Sequence, residues 1–449
     1  MTPEDFLESN RFPVRSLDRA ALLAAFSHEM EEGLAGRQSS LKMIPAYVSP
    51  DGELRHDTAV TVLDAGGTNL RGATVEFPSG GGVRIEHKEK EQMPGATEYV
   101  SPDDFYGTFA VHVRRTAPYA TDPSIGFCFS YACETSPAGD GKLLYWTKQI
   151  QAPEIIGQWV GAELARRLPQ PAPRILVLND TVTTLLAGKA TERTGTRHSA
   201  YIGFILGTGT NVAYVERNAN IAKAPAADPS GTMVINAESG GFSKLEQSAF
   251  DKAMDAKTRD AGAQTFEKMI AGAYLGRLGL EVLKAAARTG FFKKETARDI
   301  LSLGTLESID LDNFCANYKT DHANPLERIF TAESDRALAR RLAIPVFERA
   351  AVLTAVHLAA FIVKTGGGTD PNAPVCVCID GSTYYKTRTV SFPKIVQSEL
   401  DAMLGPRNIA FELAVCPDDA PLVGAAVAVL LKQNPELPGV KAAPHQGPA

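Results

Sequence analysis

The chain has 449 residues, of which 44% are hydrophobic and 22% charged, an ordinary globular composition with apolar material for two or three domains. Its formal net charge of -6 at pH 7 argues against a nucleic-acid-binding protein, because such proteins usually present a basic surface. The first ten residues are acidic and polar, unlike a secretory signal, so we expect a cytoplasmic protein with reduced cysteines.

In the first half of the chain, the sequence predicts a helix, then several strands, and then helices and strands in alternation. Hydrophobic periodicity predicts a helix over 18–36, strands over 59–69, 71–77 and 83–88, a helix over 105–115, a strand over 125–129 and a helix over 154–167. The strand Ile175–Leu178 then runs directly into Asn179 and Asp180, where a further helix begins. Asp180 is therefore predicted to cap that helix, and it is also a candidate base aimed at a substrate, since the two roles are compatible.

The second half opens with a strand–turn–strand segment, 200–216, that resembles 61–76. Each has an apolar strand, a turn ending in Gly-Thr-Asn, and a second strand ending in Val-Glu. This weak repeat indicates two α/β units that face each other across a ligand, because clefts between domains commonly bind small molecules. The segment 191–198 is polar and a candidate hinge.

The rest of the chain predicts mainly helix. Helices are expected over 244–303, 332–364 and 421–431, a final strand over 375–382, and a disordered tail from 434. The apolar run 350–363 is too short to span a bilayer, so we expect a core helix with His357 inside and no membrane partner. Cys376 and Cys378 alternate with valines and should be small buried residues on one face of a strand.

Two glycine turns are candidate phosphate-binding sites. At Gly66 and Gly67 the missing side chains let backbone N–H groups approach an anion, Thr68 adds a hydroxyl, and Asp64 is suited to hold magnesium through water. Alone, such a turn is as well explained as an ordinary hairpin. The turn 206–211 supplies a second set of donors, and two such turns can hold a triphosphate from both sides.

Thr147 with Lys148, Glu238 and Glu267 are single polar candidates. A hydroxyl beside an ammonium suits a polyol or a phosphoryl group, and carboxylates accept hydrogen bonds from sugar hydroxyls. Taken singly, each is more often a surface residue.

In order along the chain, these motifs resemble the hexokinase family over nearly the whole length. The matching stretches are L-D-A-G-G-T-N-L-R, G-F-C-F-S-Y with G-K-L-L-Y-W-T-K, V-L-N-D-T-V, L-G-T-G-T-N, I-N-A-E, F-E-K-M-I-A-G-A-Y-L-G and I-D-G-S-T-Y. The resemblance implies an α/β protein of the two-lobed, actin-like ATPase (ribonuclease H-like) fold with a deep cleft. The small lobe would be 58–188, joined by the C-terminal helix 421–433, and the large lobe 1–57 with 189–417.

The resemblance also implies transfer of the γ-phosphoryl group of MgATP to the 6-hydroxyl of a hexose, glucose first, with Asp180 as base and Lys148 assisting. The implied hexose contacts are Ser130, Thr147, Lys148, Asn179, Asp180, Asn211, Glu238 and Glu267. The implied nucleotide contacts are Asp64 (also to magnesium through water), Gly66, Gly67, Thr68, Asn69, Arg71, Thr208, Gly381 and Ser382. Sugar binding would close the cleft, and the protein would be a monomer or homodimer.

Two other classes of protein share part of this pattern. An actin-like or Hsp70-like binding module needs the two phosphate turns but not the sugar-binding residues, and a catalytically inactive sugar sensor would have lost the base or a phosphate-loop residue. This chain keeps all of them, which favours the kinase. It differs from the family pattern at Asp418–Val423, where the family has a glycine-rich turn, so the preferred nucleotide stays open. The preferred hexose is open as well.

Overall fold

The computed structural model describes residues 1–12, 14, 16–146, 150–190, 197–225 and 227–431. The helices are α1 Pro3–Ser9, α2 Arg19–Leu34, α3 Pro102–Thr116, α4 Val160–Ala165, α5 Asp180–Ala190, α6 Ala249–Asp255, α7 Thr265–Ile270, α8 Leu275–Arg288, α9 Lys294–Ser302, α10 Ser308–Cys315, α11 Pro325–Ile329, α12 Glu333–Thr365, α13 Ser382–Lys386, α14 Phe392–Leu404 and α15 Ala420–Leu430. The strands are β1 Ile44–Pro45, β2 Val60–Ala65, β3 Asn69–Glu76, β4 Arg84–Gln92, β5 Asp122–Phe129, β6 Ala132–Thr135, β7 Gly141–Tyr145, β8 Ile175–Leu178, β9 Ala200–Leu206, β10 Thr210–Arg217, β11 Thr232–Asn236, β12 Val375–Asp380 and β13 Phe411–Val415.

Two sheets with the same internal order form the framework. One sheet has the order β4-β3-β2-β5-β8, and the other has β11-β10-β9-β12-β13 with the short β1 added outside β11. In each, three antiparallel strands are followed by two parallel ones. The weak repeat between 61–76 and 200–216 therefore reflects two equivalent hairpins, β2–β3 and β9–β10, at matching places in the two sheets.

Two helices link the sheets, because each follows a strand of one sheet and packs on the other sheet. Helix α5 follows β8 but packs on β9, β10 and β12, whereas α15 follows β13 but packs on β2, β3 and β5. The two helices also pack on each other, at Gly424, where an added Cβ would lie 1.9 Å from the carbonyl oxygen of Thr183. The helix that begins at Asp180 is thus fixed between both sheets.

Helix α12 is the central helix of the largest apolar core. By length and composition it could span a membrane, but 89% of its most apolar window is buried inside the protein, as in the core helix of a globular protein. His357 lies fully buried among Phe26, Phe204 and other rings, and burial lowers its pKa to about 3, so the imidazole is neutral. The core position expected for His357 is confirmed. Cys376 and Cys378 are also buried, as expected.

Several element predictions were wrong or incomplete. The helix expected over 154–167 is only a short 3-10 turn followed by α4, and the strand at 375–380 is not the last one, because α14 and β13 follow it. Strand β13 is a short edge strand of five residues, so its hydrophobic pattern is too brief to stand out. The candidate hinge at 191–198 falls mostly, and the tail from 434 entirely, outside the described residues, and the lobe limits stay a prediction.

Candidate active site

Three parallel strands bring two carboxylates to one edge of the first sheet. Strand β5 lies between β2 and β8, and its residue Cys128 is the partner of Asp64 on one side and of Leu178 on the other. Asp180 comes two residues after Leu178, at the carboxyl ends of these strands, where open α/β sheets bind ligands. Burial raises the pKa of the Cys128 thiol, and the charges of Asp64 and Asp180 raise it further. Both carboxylates therefore lie close to one point.

The cap of α5 is Asn179, so the prediction that Asp180 caps the helix is wrong. The side-chain oxygen of Asn179 accepts a hydrogen bond from the backbone N–H of Thr181 at 2.9 Å, and its carbonyl accepts one from Thr183 at 3.1 Å. Asp180 is the first helical residue, half-buried at the sheet edge, with one carboxylate oxygen 3.3 Å from the Thr181 hydroxyl. Capping by its neighbour leaves the Asp180 carboxylate facing the cleft.

The first glycine turn joins β2 to β3 and is held by backbone hydrogen bonds. The N–H of Gly66 donates to the carbonyl of Asn69 at 3.0 Å, and the carbonyl of Thr68 accepts from the N–H of Met93 at 2.9 Å. Thr68 is exposed, as a phosphate ligand requires. These bonds use the N–H of Gly66 and the carbonyls of Thr68 and Asn69, and among the described residues no backbone carbonyl accepts the N–H of Gly67 or Thr68. Those two N–H groups are the ones suited to an anion.

Arg71 lies beside this turn between two carboxylates. It is the cross-strand partner of Asp64, and its Nε lies 3.3 Å from the Asp64 carboxylate. Its Nη1 lies 3.3 Å from the carboxylate of Asp419, which Lys88 also contacts at 2.5 Å. A guanidinium held in this way has a fixed direction, which suits recognition of a phosphate.

The second glycine turn, between β9 and β10, is anchored from behind by two other segments. The carbonyl of Gly207 accepts hydrogen bonds from the N–H of Gly272 and the hydroxyl of Thr383, both at 2.8 Å. Thr208 itself is exposed. Gly381 has φ +129°, and a Cβ there would lie 2.1 Å from the Leu206 carbonyl. The second turn, Gly381 and the adjacent Ser382 are thus brought together, and their binding of a nucleotide stays a prediction.

A chain of amide side chains connects the Asp180 helix to the second sheet. The Nδ2 of Asn211 lies 3.5 Å from Oδ1 of Asn179 and donates to Oδ1 of Asn236 at 2.7 Å. The Nδ2 of Asn236 in turn donates to Oε1 of Glu238 at 2.9 Å. Amides and a carboxylate in a row present alternating donors and acceptors, which is what the hydroxyls of a sugar need.

Glu267 lies on the other side of the second glycine turn. Its Oε2 accepts the backbone N–H of Thr210 at 2.9 Å, and an added Cβ at Gly209 would lie 2.6 Å from the same oxygen. Burial raises the pKa of Glu267 to about 7, the charge of Glu238 adds to this, and the Thr210 hydrogen bond opposes it. The pKa of Glu238 is also raised, mainly by burial. The two glutamates therefore face one poorly solvated space.

Most of the predicted site residues meet at this cleft, and two cannot be placed. Ser130 follows β5 and is anchored by its N–H to the carbonyl of Ala65 at 3.1 Å, next to the first turn. Thr147 and Lys148 lie outside the described residues. The role of each residue toward hexose, phosphate or magnesium stays a prediction.

Four further residues of the cleft were missed by the sequence reasoning. They are Lys42, Asn236, Asp380 and Asp419. Asp380 ends β12 opposite Ile205, beside the second turn. Partial burial and the charge of Asp180 raise the pKa of Asp380, while the charge of Arg71 lowers it. The motifs I-N-A-E and I-D-G-S contained Asn236 and Asp380, so those residues could have been found. Asp419 lies in the stretch Asp418–Val423 that departs from the family pattern, but neither Asp419 nor Lys42 was chosen as a site residue, because their interactions with Arg71 and Glu238 form only on folding.

In the described part of the chain there is no group of three or more His, Cys, Asp or Glu side chains that could hold a metal ion by themselves. Of the acidic residues at the two turns, Asp64 lies in β2, Asp380 ends β12 and Asp180 begins α5. Magnesium can be held mainly through phosphate oxygens and water, with few protein ligands.

The chain is similar to known proteins of one family over nearly its whole length. Two family models described as Hexokinase match the chain, one over residues 4–190 and the other over residues 201–431. Hexokinase-9 of Oryza sativa subsp. japonica is 30% identical over 452 residues, covering 94% of this chain and 88% of the rice protein. Hexokinase-1 of Nicotiana tabacum is 31% identical over 436 residues, covering 90% of this chain and 85% of the tobacco protein.

A solved structure agrees with the sheet topology. The hexokinase from Schistosoma mansoni complexed with glucose superposes with a TM-score of 0.74 at 24% identity, covering 96% of this chain and 100% of that one. At this level of identity the likeness shows the fold. The predicted α/β fold of the two-lobed, actin-like ATPase type is confirmed.

Proposed function

The chain belongs to the hexokinase family, and we propose that it transfers the γ-phosphoryl group of MgATP to the 6-hydroxyl of a hexose. The observation that carries the proposal is the position of Asp180, at the edge of the sheet that carries the first glycine turn and next to Asn179, which is linked through Asn211 and Asn236 to Glu238. The turns offer N–H groups to phosphates, and the side chains offer partners to sugar hydroxyls. An actin-like binding module would not need the side chains suited to sugar hydroxyls.

In this proposal Asp180 orients the 6-hydroxyl and takes its proton as the bond to phosphorus forms. Phosphoryl transfer depends on positioning and on stabilising charge, so a base that acts late is sufficient. Asn179, Asn211, Glu238 and Glu267 hold the other hydroxyls, and the N–H groups at Gly67 and Thr68 hold the phosphates. Arg71 offsets the negative charge on the transferred group. Ser130 and Lys148 complete the sugar side.

Magnesium, in this proposal, reaches the site with the nucleotide. Asp64 is buried at 3% exposure behind the first turn, where it can hold one of the ion's water molecules. Magnesium favours phosphate oxygens and water over a cage of protein ligands, so one carboxylate that holds a water molecule is sufficient on the protein side. When bound, the ion would supply positive charge to the β- and γ-phosphates.

Glucose is the first hexose to test, because the solved relative from Schistosoma mansoni was obtained with glucose. The product, a hexose 6-phosphate, would enter glycolysis. A cytoplasmic location and a monomeric or homodimeric state belong to the same proposal. Closure of the cleft around the sugar would exclude water, so that the hydroxyl rather than water receives the phosphoryl group.

The test is a coupled ADP-release assay with a panel of hexoses and nucleotides. The Asp180→Asn variant should lose at least about 100-fold in kcat, the range expected for loss of a general base, and should still bind hexose. Hexose binding is followed by the fluorescence of Trp146. Its indole N–H donates to the Ala152 carbonyl at 2.8 Å, and its ring packs on Phe129 at the end of β5. The exposed Asp321→Asn serves as control, with unchanged kcat.

Two results would count against the proposal in different ways. If no hexose stimulates ADP release by the wild-type protein, the chain is not a hexose kinase under these conditions and a sugar sensor or binding module becomes the better explanation. If Asp180→Asn keeps more than about a tenth of the wild-type kcat, the assignment of the base is wrong even if the kinase stands.

A further inference from the structure

Tyr131 is a buried residue that contacts the first glycine turn through its hydroxyl group. It is 2% exposed and follows Ser130 at the end of the sugar strand β5. Its ring packs edge-to-face on Trp146 at 4.7 Å and against Phe129 at 4.8 Å. Its hydroxyl donates a hydrogen bond of 2.6 Å to the carbonyl oxygen of Gly66. The Tyr131 side chain therefore starts next to Ser130, a predicted hexose contact, and ends at Gly66, in the predicted phosphate turn.

That hydrogen bond has a consequence for the next N–H group in the turn. The carbonyl of Gly66 and the N–H of Gly67 belong to one peptide plane, and in a trans peptide they point in opposite directions. Holding the carbonyl toward Tyr131 therefore aims the Gly67 N–H away from it, toward the cleft. A hydrogen bond to the carbonyl also polarises the peptide and strengthens its N–H as a donor.

The rest of the turn is held in the same sense. The Gly66 N–H is used by Asn69, and the Thr68 carbonyl is used by Met93. Ser130, next to Tyr131, donates its own N–H to Ala65, the residue before the turn. Two adjacent residues that follow β5, Ser130 and Tyr131, therefore contact the last residue of β2 and the first glycine of the turn.

We propose that Tyr131 is a positioning residue that orients the Gly67 N–H for the nucleotide phosphates and couples the phosphate turn to the sugar strand. The proposal rests on the hexose kinase function. Tyr131 does not itself touch either substrate. Its hydroxyl stays protonated as a donor over the working pH range, because burial and the charges of Asp64 and Asp180 raise the pKa of Tyr131.

The test is Tyr131→Phe, which removes only the hydroxyl. We expect KM for MgATP to rise about 3- to 10-fold, the effect of one lost hydrogen bond, while kcat and KM for hexose stay within about twofold. Tyr106→Phe is the matched control. Tyr106 is buried in the same aromatic cluster, and among the described residues its hydroxyl has no hydrogen-bond partner. That variant should leave all three constants unchanged.

Amide hydrogen exchange gives a second readout that needs no turnover. Without nucleotide, a peptide covering Gly66–Asn69 should exchange faster in Tyr131→Phe than in wild type and should be unchanged in Tyr106→Phe. A tyrosine that only fills space would leave this peptide unchanged.

Several outcomes would overturn the proposal. A rise in KM for hexose alone would make Tyr131 a residue of the sugar pocket, and equal changes in both variants would make it a general core residue. Unchanged KM for MgATP with unchanged exchange would also refute the coupling. If the wild type phosphorylates no hexose, the proposed function fails, and the role in nucleotide binding is then decided by the exchange of the Gly66–Asn69 peptide with and without MgATP.

Discussion

The Glu267 carboxyl makes the stability of the unliganded protein depend on pH in a predictable direction. Glu267 has an ordinary pKa of 4.5 in the unfolded chain and about 7 in the folded protein, where burial is the main cause and Glu238 adds to it. Between these two values the folded protein keeps a proton that the unfolded chain has lost. Its contribution to stability is therefore present below about pH 4.5 and is lost as the pH rises to about 7.

A pKa raised from 4.5 to about 7 corresponds to a free energy of unfolding lower by up to about 3 kcal/mol at pH 8 than in strong acid. Glu267→Gln removes the titration but keeps an oxygen that can accept the Thr210 N–H. We therefore expect the variant to gain stability relative to wild type as the pH rises, by about 2 to 3 kcal/mol between pH 5 and pH 8. Under the proposed function it should also lose affinity for hexose, because that proposal assigns Glu267 to a sugar hydroxyl.

The assay is urea unfolding of both proteins at several pH values, without hexose or nucleotide, because a bound ligand would add its own stabilisation. The exposed Glu98→Gln is the control and should follow the wild type at every pH. A constant difference between Glu267→Gln and wild type from pH 5 to pH 8 would refute the reasoning, since it would mean that Glu267 does not titrate in this range in the folded protein.

Two further predictions concern the framework of the site. In Gly424→Ala the new methyl would lie 1.9 Å from the Thr183 carbonyl, so α15 must move from α5; we expect a loss of about 1–3 kcal/mol in urea unfolding and a lower kcat, because α5 carries Asp180. Arg349→Met breaks a fully buried pair, in which both nitrogens lie 2.8–2.9 Å from the Asp251 carboxylate; we expect a loss of about 3–5 kcal/mol by the same measurement.

Each of these variants has a control in the same chain. Gly107→Ala, in α3, meets no atom within 4 Å and should stabilise the protein by about 0.5–1 kcal/mol, since alanine is the better helix former. Arg341→Met removes an exposed pair with Glu4 and should change stability by less than about 1 kcal/mol. A loss below about 1 kcal/mol for Gly424→Ala or Arg349→Met would contradict the packing and burial arguments.

Regular patterns in the sequence were sufficient to predict the elements with clear periodicity and to select candidate site residues. The buried strand Ile175–Leu178, the two Gly-Thr-Asn turns and the long apolar helix all have local signals, because strand and helix periods and glycine turns act over a few residues. The residues Asn179, Asn211, Glu238 and Glu267 were found because their motifs occur in the order of a known family. Short elements have weaker signals: β13 was missed, and the helix predicted over 154–167 was longer than α4.

What the sequence by itself determined is the set of chemical groups: two turns free of side chains, a carboxylate after a buried strand, and amides and carboxylates suited to hydroxyls. Only the tertiary structure decided how they act together. It put Asn236 between Asn211 and Glu238 and joined Tyr131 to the Gly66 carbonyl. The Asn211–Asn236 and Tyr131–Gly66 contacts join residues far apart in the chain, whose distances are set by strand register and by packing, and no local pattern encodes them.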